Sequence, residues 1–318
     1  MKKIRYFIEV CLVRVAVWGI PRVPRSLLMG LAQALGMLAW WLDGRGHSTV
    51  LENLRVAFPE MDQATLQWTG RAAYQNFART FIDLFWSARL TPENWRDYVS
   101  IHFDHPEAQP LARGTGAIWV TPHYGNFEMV SLGWGYFDFP LTVVAQDFKN
   151  PGLTEIFKKL RGHSGHTLIP QENALIRLIK ALKRKGHTAM LTDLNIKPSE
   201  AAAAIRCFGL ETCVTTAHVM LARRLKLPIF PTLCHPLEDG TYHVTVHGPV
   251  WIGEDEPAVD AAQRVWNVFE AAIRVHPERW MWMYKHWRYL PGEEKRADYP
   301  DYANPNKAFR KLARSQQG

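Results

Sequence analysis

The sequence predicts an α/β fold: a mixed, mostly parallel central sheet flanked by helices, preceded by an N-terminal helical segment that associates with a membrane. Three observations predict it. Short apolar runs near 117–121, 141–146, 188–193, 228–234 and 241–247 alternate with longer segments whose apolar residues recur three or four apart. Those longer segments, near 126–138, 152–160, 172–185, 214–226 and 258–275, are long enough to serve as crossovers between parallel strands. The first 42 residues carry two apolar stretches of another kind, edged by cations.

Lys2, Lys3 and Arg5 open the first stretch, and Arg14 interrupts it, so a full membrane span there would put a cation in hydrocarbon. Leu27–Leu42 carries no charge. As a helix its sixteen residues reach about 24 Å, short of the roughly 30 Å of a hydrocarbon core. An interfacial or re-entrant helix is therefore predicted, with Trp40 and Trp41 near the head groups. No small-residue cleavage site closes the first run, which argues against a signal peptide. A helix over about 62–88 follows, marked by Trp68, Tyr74, Phe77, Phe81 and Phe85. Asp239-Gly240 between two apolar runs predicts a hairpin. The last residues, rich in Lys, Arg, Pro, Asn and Gln, predict a loosely held basic tail. The chain divides into membrane-associating helices at 1–45, a main domain at 46–295 and the tail at 296–318.

With 318 residues and 47% hydrophobic content the chain can bury a substantial core. A net charge of +8 favours acidic partners, namely anionic head groups or an acidic carrier protein, and no nucleic-acid motif is present. Cys11, Cys207, Cys213 and Cys234 form no CxxC pair, which points to reduced thiols. His163 and His166 lack a third ligand for a metal. Lys180, Lys183, Arg184 and Lys185 crowd one helix and offer either a solvated face or a dock for an acidic partner. The run Trp280, Trp282, Tyr284, Trp287, Tyr289 reads as core, with an acyl-channel lining as its other reading.

His123-Tyr-Gly-Asn-Phe-Glu128 carries the chemistry. It follows the run Ala117–Thr121, and Pro122 and Gly125 break the extended pattern before a helix begins, at the edge where open α/β sheets hold ligands. An imidazole there can take a proton near neutral pH, and a carboxylate on its other nitrogen fixes the tautomer. Glu128 is the expected orienting group for His123, and backbone N–H groups of Gly125 and Asn126 are the expected donors to an oxyanion. The pattern suits acyl transfer to a hydroxyl or amine; no GxSxG elbow supports a serine hydrolase.

These residues carry a family resemblance. Trp119–Glu128 resembles the HxxxxD/E block of the bacterial lipid A biosynthesis acyltransferases, and other blocks follow in order: Asn53-Leu-Arg-Val-Ala-Phe-Pro-Glu60, Lys149-Asn-Pro151, Leu168-Ile-Pro170, Asp193, Phe208-Gly209 with Thr215 and Ala217, and Trp280–Trp287. The resemblance spans about residues 45–290. It implies a glycerolipid-acyltransferase-like fold, a thioester donor on acyl carrier protein or, second, coenzyme A, a lipid acceptor, and a place on the cytoplasmic face of the inner membrane. No metal or organic cofactor is implied. Lys149, Asn150 and Asp193 become candidate substrate-binding residues. Two positions depart from the family pattern. Gln146 stands where an Arg is common, so that Lys149 or a different acceptor head group is expected to compensate. Asn195 stands where a second acid is usual. A hydrolase using the same His–Glu pair and a non-catalytic lipid-binding homologue are the alternative readings.

Overall fold

The computed structural model describes residues 2–145 and 147–316. Four helices come first: α1 (Lys2–Gly19), α2 (Arg25–Leu42), α3 (Gly44–Ala57) and α4 (Gln63–Trp86). The alternating region follows as β1 (Val99–Phe103), α5 (Ala108–Thr115), β2 (Ala117–Thr121), α6 (Phe127–Tyr136), β3 (Leu141–Val144), α7 (Pro151–Gly162), β4 (Thr167–Ile169), α8 (Ala174–Lys183) and β5 (His187–Leu191). A hairpin, β6 (Ala202–Cys207) and β7 (Leu210–Thr215), precedes α9 (Ala217–Leu225), β8 (Ile229–Pro236), β9 (Tyr242–Val246) and α10 (Ala258–Val275). The chain closes with β10 (Tyr289–Leu290), β11 (Asn304–Pro305) and α11 (Lys307–Ser315).

Seven strands form one sheet in the order β1-β9-β8-β2-β5-β3-β4. Every neighbouring pair is parallel except β8 and β9, which are joined through the predicted Asp239-Gly240 turn. All five residues of β2 are buried, as a central parallel strand covered on both faces requires. One core cluster gathers α3, α8, α9 and α10 with Trp280, Trp282 and Trp287; the other gathers α4, α6 and α7 with Trp119, Trp134 and Phe139. The three tryptophans of the Trp280 run are therefore core rather than channel lining, while Tyr284 and Tyr289 are half-buried.

The helix α2 packs along α4 through Leu28, Ala32, Gly36 and Trp40, spaced four apart. Gly36 is needed there, since a Cβ would lie 2.4 Å from the Gln75 Cα. Trp40 is thus buried, stacked on His47 and edge-on to Tyr74, and is not at a head-group surface as the sequence suggested; Trp41 remains 68% exposed. The outer stripe of α2 leaves Leu27, Leu31, Leu35, Leu38 and Leu42 exposed, and α1 buries none of its residues. Among the described residues no single helix is long and apolar enough to cross a membrane; α2 and α3, bent by 93°, pass that test only as a pair. The end of the chain is better ordered than a loose tail: β11 pairs with β10, and α11 buries Phe309 and Ala313 against β6.

Candidate active site

At the carboxyl end of β2 the chain turns through Pro122–Asn126 into α6. The His123 Nδ1 lies 2.8 Å from Asp193 Oδ1, and the His123 backbone N–H donates to Asp193 Oδ2, also at 2.8 Å. Trp280 Nε1 donates to the same Oδ2 at 2.8 Å. Asp193 follows β5, the strand hydrogen-bonded in register beside β2, so the two loops leave the sheet side by side. Its carboxylate is fully buried. Burial raises its pKa, but the His123 ring and the hydrogen bonds from His123 and Trp280 outweigh burial and hold it at about 2. Asp193 therefore stays ionised at neutral pH and holds the ring in place through Nδ1. The His123 ring is 11% exposed, and its Nε2 has no hydrogen-bond partner among the described residues.

Glu128, the expected partner of His123, lies elsewhere. Both its oxygens accept from Arg161 Nε at 3.1 Å, and Arg161 Nη2 adds a further bond from the last turn of α7. The reason is geometric. His123 precedes the helix cap whereas Glu128 sits in the first turn of α6, so a spacing of five does not stack the two on one face, and the carboxylate turns toward the neighbouring α7. The carboxylate on the imidazole is Asp193, seventy residues away in sequence.

The turn itself is held from behind. Gly125 adopts φ +58, and a Cβ there would meet the Cys234 carbonyl oxygen at 1.8 Å, so only glycine fits. Its N–H donates to the Arg279 carbonyl at 2.8 Å and is thus not free for an oxyanion, contrary to expectation. Its carbonyl accepts from Asn76 Nδ2 at 3.0 Å and Thr80 Oγ1 at 3.2 Å, both on α4. Asn126 caps α6 by accepting from the Met129 N–H, while its Nδ2 donates to Asp83 at 3.0 Å. Asp83, also on α4, is wholly buried and further bound by Arg25 at 2.7 Å and by the Tyr242 hydroxyl. Sequence reasoning missed Asn76, Thr80 and Asp83; their spacing of four and three on a polar-poor face of α4 was the available signal.

The remaining candidates divide. Asn150 spends its side chain on capping α7 at Gly152 and on the Tyr6 carbonyl and Glu9 of α1, so it serves structure rather than substrate. Lys149 is exposed at the rim of a cavity of about 640 Å³. Gln146 lies outside the described residues. Asn195 is buried, donates to Thr212 Oγ1 at 3.0 Å and is not at the His123 pair. His163 and His166 are spent on the carbonyls of Leu160, Ser87 and Ser131. Lys183 ends α8 and Arg184 and Lys185 follow it just before β5 begins, which puts all three at the end of the sheet opposite His123. Asn53 reaches the closing segment, donating to the carbonyls of Trp282 and Tyr284 at 2.8 Å each. Main-chain pairing of Tyr124 with Trp280 then brings that segment to the turn.

Comparison with known proteins meets the same residues from another side. The chain is 24% identical over 287 residues to the lipid A biosynthesis lauroyltransferase of Escherichia coli K12, covering 86% of this chain and 89% of that protein. It is 23% identical over 244 residues to a phosphatidylinositol mannoside acyltransferase of Mycobacterium tuberculosis, covering 71% of this chain and 72% of that one. The pattern of the bacterial lipid A biosynthesis acyltransferases matches residues 1–289, a stretch that takes in α1, the His123 turn, Asp193 and the aromatic closing segment. With the sheet, the turn and that match in agreement, the chain belongs to the bacterial lipid A biosynthesis acyltransferase family.

Proposed function

We propose that this acyltransferase moves a fatty acyl group from a thioester, carried on acyl carrier protein or coenzyme A, to a hydroxyl or amine of a lipid acceptor, with His123 as general base and Asp193 as its orienting carboxylate. One observation carries the assignment: Nδ1 of His123 is bound to a buried, ionised carboxylate, which leaves Nε2 as the nitrogen for the acceptor's proton. The acceptor oxygen or nitrogen attacks the thioester carbonyl as its proton passes to Nε2. The tetrahedral intermediate then collapses, the C–S bond breaks, and the departing sulfur takes that proton back. The N–H groups of Phe127 and Glu128, at the start of α6, have no intrahelical acceptor and suit the oxyanion. Glu128 acts at one remove, pinning α6 to α7 through Arg161. The relatives' names support a lipid A precursor or a related glycolipid as acceptor.

Membrane attachment is part of the same reading. The exposed stripe of α1, with Ile4, Phe7, Leu12, Val15 and Trp18, and that of α2 lie on helices flanked by Lys2, Lys3, Arg5, Arg14 and Arg22. That pairing of apolar face and cationic flank suits an anionic leaflet. The test is transfer by purified protein, supplied with an acyl carrier thioester and a lipid A precursor. His123→Ala is expected to lower acylated lipid by at least about a hundredfold. Undiminished transfer by that variant overturns the mechanism, and free fatty acid in place of acylated lipid makes the protein a hydrolase.

A further inference from the structure

We propose that α1 and the Lys149-Asn150 turn at the start of α7 together form a binding site for the phosphate of an anionic membrane lipid. The site rests on the membrane placement of α1 proposed above and is independent of acyl transfer.

Lys2, Arg5 and Tyr6 of α1 and Lys149 of the turn line one cavity of about 640 Å³. The Lys2 ammonium and the Arg5 guanidinium both lie over the Tyr6 ring, at 5.6 and 5.5 Å from its centre. Three cations thus face a shared space, and no ion pair to Lys2 or Lys149 exists among the described residues. Their arrangement is fixed rather than incidental. Asn150 Nδ2 donates to the Tyr6 carbonyl at 2.9 Å and to Glu9 Oε2 at 3.0 Å, while Glu9 Oε1 forms an ion pair with Arg5 Nε at 3.1 Å. Glu9 thereby anchors the guanidinium to the turn and offsets one unit of charge, leaving the cavity cationic. Gly152 permits this close approach, since a Cβ there would lie 2.6 Å from Val10 Cγ2.

Depth identifies the ligand. Ile4, Phe7 and Ile8 share the first turns of α1 with these cations and are 50–70% exposed, so an interfacial α1 sets the charges at head-group level. Anions at that depth are lipid phosphates. Because β3 runs parallel with β5 and β5 with β2, the turn after β3 opens on the same sheet edge as His123. A lipid held there by its phosphate lies along the edge where the reaction is proposed to occur.

Two measurements on the full-length protein test the site. In flotation with phosphatidylcholine vesicles containing phosphatidylglycerol, the triple variant Lys2→Ser/Arg5→Ser/Lys149→Ser is compared with Lys3→Ser/Arg14→Ser/Arg22→Ser, which removes equal charge from exposed positions nearby. Diffuse attraction is worth about fivefold per cation and acts on both triples, so the second is expected to lose roughly a hundredfold in partitioning and the first, which also loses the site, at least about tenfold more. Equal losses, or no preference of the native protein for the anionic vesicles, overturn the proposal and leave diffuse attraction. Second, acetylation of lysines in the native protein is read by mass spectrometry. Phosphatidylglycerol vesicles are expected to protect Lys2 and Lys149 beyond Lys3, relative to phosphatidylcholine alone; unchanged reactivity of Lys149 overturns the site. Neither readout needs turnover, so a protein that passes both yet transfers no acyl group counts against the catalytic reading alone.

Discussion

Asp193→Asn separates the two carboxylates that compete for the role of orienting His123. The outcome follows from which atoms converge on the side chain. Two donors, the His123 backbone N–H and Trp280 Nε1, meet at the Oδ2 position, so the one oxygen of the asparagine amide must sit there. Its NH₂ then takes the Oδ1 position, 2.8 Å from Nδ1, and donates to it. Nδ1 becomes an acceptor, the ring proton moves to Nε2, and the nitrogen meant to take the acceptor's proton already carries one. The same substitution in a serine-hydrolase triad costs about 10⁴ in kcat, and a fall of about 10³–10⁴, or 4–5 kcal/mol of barrier, is expected here. The substrate terms should change little, since Asp193 is buried behind the ring. The assay is initial rate of acylated lipid over a range of acceptor concentrations, with the melting temperature measured in parallel. Glu128→Gln is the companion: it breaks a pair with Arg161 and is expected to act mainly on stability. A Glu128→Gln protein with native melting temperature and a 10³ loss in kcat, beside an Asp193→Asn protein within tenfold of native, refutes the reasoning.

Gly125→Ala should unfold the catalytic turn, because the new methyl would lie 1.8 Å from the Cys234 carbonyl oxygen at a φ of +58; a loss of at least about 3 kcal/mol is expected in chemical denaturation, with activity lost alongside. His218 is buried with neither ring nitrogen bonded among the described residues, and burial pushes its pKa down to about 4. The unfolded chain therefore binds a proton that the fold refuses: stability is complete above pH 6.5 and erodes as pH falls toward 4. His218→Leu should flatten that dependence by up to about 3 kcal/mol between those limits, read from denaturation midpoints across pH. A pH slope unchanged by the substitution would show that His218 is not the group.

Much of the scaffold was legible because it rests on periodicity. The run 117–121 is β2 residue for residue, α10 spans the predicted 258–275, and Asp239-Gly240 turns the one antiparallel pair of the large sheet. Short elements escaped: β1, α5, β4 and the β6–β7 hairpin lack enough residues for a period to register. The tail escaped for another reason, since the one large apolar residue that seats α11, Phe309, buried beside only the small Ala313, leaves no pattern in a basic sequence. In the site, His123 and Asp193 were both singled out, but their pairing was not. A sequence spacing can suggest a local partner such as Glu128, whereas the register of β5 against β2 is what delivers Asp193, and no local signal encodes that register. Gly125 was placed correctly in the turn but assigned the wrong bond, because the acceptor of its N–H, the Arg279 carbonyl, comes from a distant segment.

The buried charge at Asp83 shows what fixes the turn. Its carboxylate accepts from Arg25 of α2, from the Tyr242 hydroxyl of β9 and from Asn126 at the cap of α6, while Arg79 stands 3.7 Å away. Arg25 also donates to the Gly240 carbonyl at 2.7 Å, so one guanidinium ties α2 to both α4 and the β8–β9 hairpin. Burying such a pair gains little stability, because desolvation consumes most of the Coulombic attraction, and an apolar replacement of equal volume can be as stable. What an apolar cluster lacks is direction. Only a carboxylate with its lone pairs filled from three elements dictates where the Asn126 amide points, and Asn126 in turn sets the first turn of α6 through Met129. Thr80 and Asn76, one and two turns earlier on α4, fix the Gly125 carbonyl from the same face. The helix α4 therefore has α2, with its exposed apolar stripe, along one side and the His123 turn along another, and Arg25–Asp83–Asn126 runs between them. A shift of α2 that pulled Arg25 away would leave Asp83 a buried charge with too few donors, a state costly enough that α2 and the turn must hold their positions together.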